Sequence, residues 1–157
     1  LPPAPLLSPT ARPKRRRFVS GLLLLAALLL PSVSTAQPLP ENPLSPCPAS
    51  PNCERRAVPY DVPADSLFRA ARQALDALGP VALRLPGGTA ARRAEAVYRV
   101  ALVFKDDVAV EVAPREGAGS VLFVRSASRV GYSDLGVNRR RVERLLAAVE
   151  TAVRERR

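Results

Sequence analysis

The chain of 157 residues contains no histidine. That absence excludes a histidine-based catalytic triad, a histidine general base and a histidine metal ligand. Cysteine is almost as scarce: Cys47 and Cys53 are the only two. Zinc sites use about four ligands, mostly Cys and His, so two thiols without histidine do not compose one. A redox-active pair is more typically spaced Cys-x-x-Cys, and here the interval is Pro48-Ala49-Ser50-Pro51-Asn52. In an oxidising compartment the natural reading is a small-loop disulfide. Closing so short a loop stabilises by about 2 kcal/mol at most, so its expected role is to stiffen an arm. No stretch interleaves aromatic and basic residues as a base-stacking surface does, and nucleic acid is not an expected partner. Arg139–Arg141 reads as a solvated helix face. No motif implies a cofactor or a metal.

What is present begins with an address. Arg12, Lys14, Arg15, Arg16 and Arg17 precede a nearly continuous apolar run from Phe18 to Leu30, closed by Pro31 and followed by Ser34-Thr35-Ala36. Positive, then apolar, then small is the layout of a secretory signal, here residues 1–36. The run falls short of the roughly 20 residues that span a bilayer. Arg15-Arg16-Arg17-Phe18-Val19 also resembles a twin-arginine export motif, and the route stays open. The expected destination is periplasmic or extracellular. Leu44-Ser45-Pro46-Cys47 lies well past the apolar run, with proline before the cysteine, and is not read as a lipidation site.

The whole chain carries 24 Lys/Arg against 14 Asp/Glu. Five of those cations and no acid lie in residues 1–36, so the remaining 121 residues hold 19 cations against 14 acids, a net +5. Lys105 is the only lysine among them. A modest arginine excess in an exported protein favours anionic surfaces: an anionic small molecule, an envelope component or a membrane surface. The size suits one domain able to bury its own core.

Residues 37–56 form a Pro-rich arm carrying the cysteine loop, and residues 57–157 the domain. Ala57–Val62 can form a first strand. Pro63 and Asp65 suit the start of a helix whose apolar positions Leu67, Phe68, Ala71, Ala74, Leu75 and Leu78 recur at helical spacing. Gly79-Pro80 stops it, Val81–Leu85 is a short strand, and Pro86-Gly87-Gly88 a turn. The period then becomes two: Tyr98, Val100, Leu102 and Phe104 share one strand face, and Val108, Val110 and Val112 another. Lys105-Asp106 is the expected hairpin connection between them. Ser120–Ala127 is apolar on both faces, as a central strand is. Asn138 is a good N-cap for a last helix with the stripe Val142, Leu145, Leu146, Val149 and Val153. The expected fold is α+β: a two-layer antiparallel sheet with two helices packed on one face, the C-terminal helix last.

Between the last strand and the last helix, hydrogen-bonding groups crowd together: Arg125, Ser126, Ser128, Arg129, Tyr132, Ser133, Asp134, Asn138 and Arg139. Two readings stand. In one, amides at the helix start and Arg129 with Arg139 bind an anion, aided by Ser126, Ser128, Tyr132 and Ser133. In the other, Asp134 pairs with Arg125 or Arg129 and Asn138 caps the helix, so the residues hold loop shape. A serine hydrolase using Ser126, Ser128 or Ser133 is a further alternative; its base has to be Lys105 or a carboxylate. Adjacent Asp106 and Asp107 on a strand point to opposite faces and do not make a paired acid and base. A structural protein-interaction domain is the last alternative.

Cys47-Pro48-Ala49-Ser50-Pro51-Asn52-Cys53, Phe104-Lys105-Asp106-Asp107-Val108 and the run Arg125–Arg139 together resemble the bacterial and plastid family called domain of unknown function 1499. The resemblance spans about residues 47–150, and departs at Glu54-Arg55-Arg56, where members often carry small polar residues. It implies fold and compartment and no chemistry. The reading is therefore a small exported module, not expected to be catalytic, that engages an anionic envelope or lipid-type ligand through the Arg125–Arg139 loop.

Overall fold

Alternation decides the sheet. In the computed structural model, which describes residues 38–117 and 119–156, the strands are β1 (Cys53–Tyr60), β2 (Ala82–Arg84), β3 (Arg93–Val100), β4 (Phe104–Pro114) and β5 (Ser120–Ser128). The expected export signal, residues 1–36, lies outside the described residues. All pairings are antiparallel, in the spatial order β1-β5-β4-β3-β2. Along β4, Asp106, Val108, Val110 and Val112 are buried while Lys105, Asp107, Ala109 and Glu111 face the other way.

Two helices, α1 (Ala64–Ala77) and α2 (Val137–Arg154), cover one sheet face. Leu67, Phe68, Ala71 and Leu75 of α1 and Val142, Leu145, Val149 and Val153 of α2 pack with Leu122, Val124, Val108, Val110 and Tyr98 into one core. Each buried Leu or Val there contributes about 1.5–3 kcal/mol before ordering entropy. Leu146 of the expected stripe is only half-buried, at the core's margin. The α+β architecture with two helices on one face, the C-terminal helix last, is the one expected.

Three boundaries differ from expectation. β1 begins at Cys53, four residues ahead of Ala57, because the backbone from the cysteine loop already pairs with β5 (Cys53 opposite Ala127). The β3–β4 hairpin turns at Ala101-Leu102-Val103 rather than at Lys105-Asp106. Ala101 supplies the positive φ of 50° that the turn requires. Lys105 and Asp106 are strand residues, and Asp106 is 1% exposed. Finally, α2 is capped at Gly136 (φ 77°), and Asn138 lies inside the helix.

The other sheet face is covered in part by the arm. Leu44 is buried against Val121 and Phe123, which point away from the helices. Arg55 holds the arm by donating through Nη2 to the carbonyls of Asn42 and Leu44, each at 2.8 Å. The Cys47–Cys53 disulfide, Cα–Cα 5.7 Å, closes the loop behind it as expected. Ala36–Arg157 is one compact unit with its own core.

Candidate functional site

The loop residues read together in sequence are divided by the pleat of β5. Ser126 and Ser128 turn toward the helices; Arg125 and Arg129 turn to the helix-free face.

On the helix side they join a closed polar cluster centred on Asn138, which is 1% exposed. Asn138 Nδ2 donates to the Asn52 carbonyl (2.9 Å), Ser128 Oγ (2.9 Å) and Asp134 Oδ2 (2.7 Å). Its Oδ1 accepts from Ser126 Oγ (2.5 Å) and Arg141 Nη1 (2.9 Å). Arg141 Nη1 also reaches Asp106 Oδ2 at 2.8 Å and Ser126 Oγ at 3.1 Å. The two side chains of that ion pair are only 7% and 2% exposed, so Arg141 departs from the solvated helix face expected of Arg139–Arg141 and is drawn inward by Asp106. Arg141 lies 5.0 Å from the centre of the Tyr98 ring, and the Tyr98 hydroxyl donates to the Leu75 carbonyl at 2.7 Å. Burial pushes the Tyr98 phenol up to about 12, against the pull of the Arg141 cation.

Asp134 does what was expected of Asn138. Its carboxylate accepts from the backbone N–H groups of Gly136 (2.9 Å) and Asn138 (2.6 Å) at the start of α2. Partial burial alone would raise its pKa; the hydrogen bonds from Asn138 and Gly136 outweigh that and hold it below the ordinary value. Its expected partner Arg129 is engaged elsewhere. Arg129 makes a two-point contact with Asp107, 2.9 and 2.7 Å, on the helix-free face, and this pairing raises the Arg129 pKa.

The cluster leaves little for chemistry. Ser126 donates to an amide oxygen, Ser128 accepts from the same amide, and Ser133 Oγ accepts from Leu135 N at 3.4 Å. Lys105, one residue from Asp106 on β4, belongs to the opposite sheet face from Ser126. Tyr132 is 75% exposed, and Arg139 points to solvent 4.0 Å from Glu143. Among the described residues, no group of three or more His, Cys, Asp or Glu is placed to hold a metal.

The helix-free face carries a groove of about 300 Å³ beside the arm. One transverse row crosses it: Arg55, Arg125, Ala109, Glu95 and Arg84, each opposite the next in register. Leu44, Val97 and Ala109 supply apolar lining, and Asp107 and Arg129 the rim. Arg93 is engaged by Glu111 (3.0 Å) and Glu95 (3.0 Å). Arg125 and Arg84, by contrast, have no hydrogen-bond or ion-pair partner among the described residues, and Arg125 Nε is buried. Arg55, directly opposite Arg125, is a like charge that gives it no relief. A larger cleft of about 470 Å³ lies beside α1, lined by Arg69, Arg72, Asp76 and Leu83 among others, and contains none of the loop residues. Arg84 and Arg93 were not singled out in sequence; their only signal was charge at alternating strand positions facing away from the core.

The family described as "Protein of unknown function (DUF1499)" matches residues 43–149. No curated protein matches at a significant level. Among solved structures, the di-domain ARO/CYC StfQ from the steffimycin biosynthetic pathway is similar in fold, with TM-score 0.50 and 14% identity over 66% of this chain. The di-domain ARO/CYC BexL from the BE-7585A biosynthetic pathway has TM-score 0.45 and 18% identity over 65% of this chain. The chain spans 46% of the length of each. TTHA0849 from Thermus thermophilus follows, with TM-score 0.36 and 15% identity, the match covering 64% of this chain and 96% of that one. At 14% identity the likeness to StfQ concerns fold alone.

Proposed function

We propose, for a chain that belongs to the DUF1499 family of unknown function, a role as an exported, non-catalytic module that binds a small carboxylate- or phosphate-bearing ligand. The binding place is the groove on the helix-free face. Arg125 anchors the oxyanion, Arg84 faces it from across the groove, and Arg129 stands at the rim. The basic–apolar–small order of residues 1–36 and the Cys47–Cys53 disulfide support the exported compartment.

One observation carries this reading: Arg125 lines the groove with no side-chain partner among the described residues, whereas Arg55 and Arg115, whose Nε atoms are likewise buried without an acceptor, bond through Nη2. A buried donor left unmade costs about 1–3 kcal/mol, and more on a charged group. An oxyanion in the groove supplies the acceptors that this guanidinium lacks and makes charge-assisted bonds to its fork of donors. The cluster around Asn138 serves this site indirectly by fixing the strand from which Arg125 projects.

The test is a thermal-shift titration of residues 36–157 with inorganic phosphate and with citrate, against sodium chloride at matched ionic strength. Either oxyanion raises Tm beyond the chloride control. Arg125→Gln abolishes the rise, and Arg129→Ala reduces it. A wild-type Tm indifferent to both oxyanions, or a rise retained in Arg125→Gln, refutes the site.

A further inference from the structure

At the end of the sheet where β3 turns into β4 and β5 leaves for α2, two connections lie side by side. The backbone ties them: Arg129 N donates to the Lys105 carbonyl at 3.1 Å. Together they present the apolar residues Leu102 (87% exposed), Val103 (75%), Phe104 (52%), Val130 (59%), Tyr132 (75%) and Leu135 (85%). Six of the eight large exposed hydrophobic side chains among the described residues thus sit at one end. Single exposed apolar residues need no explanation, but a concentrated cluster of this kind marks a contact surface.

The charges around it have one sign available. Asp106 is neutralised by Arg141, Asp107 by Arg129, and Asp134 is engaged by the N–H groups of Gly136 and Asn138. Arg99 and Lys105 stand directly opposite each other in the last turn-side pairs of β3 and β4, and neither has a partner among the described residues. Arg139 is 4.0 Å from Glu143, and Arg140 donates only to the Leu135 carbonyl. Like charges placed opposite each other cost stability unless a counter-charge is supplied from outside.

We infer that this end is a membrane-docking tip. Leu102, Val103, Phe104 and Leu135 enter the headgroup–acyl boundary of an anionic bilayer, and Tyr132 sits at headgroup level with its hydroxyl wet. Arg99, Lys105, Arg139 and Arg140 meet the lipid phosphates. Apart from Phe104, the first residue of β4, the apolar residues project from turns beyond the sheet end, which suits a soft lipid surface, and the cationic surround selects an anionic one. This inference stands on different residues from the groove and does not rest on it.

Residues 36–157, oxidised, are tested by vesicle flotation, so the apolar run Phe18–Leu30 contributes nothing. The protein floats with phosphatidylcholine vesicles containing phosphatidylglycerol and much less with phosphatidylcholine alone. Arg99→Gln with Lys105→Gln weakens partition to the anionic vesicles by about twenty-fivefold, at roughly fivefold per charge. Leu102→Asp with Phe104→Asp lowers it by about a hundredfold or more, with the circular dichroism spectrum unchanged because both side chains are exposed. Arg125→Gln leaves flotation unaltered, which separates this result from the fate of the groove. Absence of wild-type flotation, or flotation undiminished in the Leu102/Phe104 variant, overturns the inference. A concentration-dependent dimer in sedimentation velocity that the same variant abolishes also overturns it, by assigning the tip to contact between copies.

Discussion

Removing charge from Asp106 leaves Arg141 as a buried cation without a counter-ion. The two side chains are 2% and 7% exposed and 2.8 Å apart, so water does not compensate. Breaking such a pair from one side costs about 3–5 kcal/mol. Asp106→Asn preserves shape and one acceptor and belongs near the lower end, about 3 kcal/mol. Arg141→Met strips three further contacts, to Ser126, Asn138 and the Tyr98 ring, and belongs near the upper end, about 5 kcal/mol. In a domain of this size those losses lower Tm by about 10–20 °C. The double change Asp106→Asn with Arg141→Met removes both desolvated charges together and costs less than the two single changes combined, with a coupling of about 2 kcal/mol or more. Urea denaturation of residues 36–157 at neutral pH, with the slope unchanged across variants, gives all the values. If Asp106→Asn stays within about 1 kcal/mol of wild type and the cycle is additive, the pair does not act as a unit and the account of the cluster around Asn138 is wrong.

Two other measurements address its surroundings. Cys47→Ser with Cys53→Ser lowers stability by about 2 kcal/mol or less, as the short loop dictates, and leaves the circular dichroism spectrum in place; loss of folding would mean that the arm depends on the disulfide far more than Leu44 and Arg55 imply. Asp134 contributes through its ionised form, because its folded pKa lies below the ordinary value of 3.8. That stability is fully present above the ordinary value and disappears as pH falls through the depressed one. Asp134→Asn therefore costs about 1–2 kcal/mol near neutrality and flattens the acid limb of the stability–pH curve below the ordinary value; a limb as steep as wild type contradicts the assignment.

Where one physical signal dominated, the sequence was sufficient. Val108, Val110 and Val112 at period two, and Val142, Leu145, Val149 and Val153 at helical spacing, determined the layers and the face the helices cover. The hairpin failed for an identifiable reason. Leu102 continues the alternation of Tyr98 and Val100, yet it is 87% exposed, and an apolar turn cannot be told from a strand by periodicity. Sequence alone places Asp106 in a turn because a buried carboxylate needs its partner, and Arg141, 35 residues away, is visible only in three dimensions. The dense loop was legible as a place of fixed geometry. Its division into an Asn138-centred cluster and an arginine-lined face depends on which side of β5 each residue takes, and Arg84 and Arg93 join the groove only through register. Sequence alone does not choose between Asn138 and Asp134 as the cap, because both are capping residue types and only the helix start at Gly136 decides between them.

Leu44 lies on Val121 and Phe123 from one side while the helices close over Leu122 and Val124 from the other. The arm is consequently a roof, and a piece of this chain that keeps it whole starts at or before Asn42. Proteolytic trimming past Leu44 would strip an aromatic ring of its cover and leave a bare greasy patch on a sheet that otherwise shows water mainly charge.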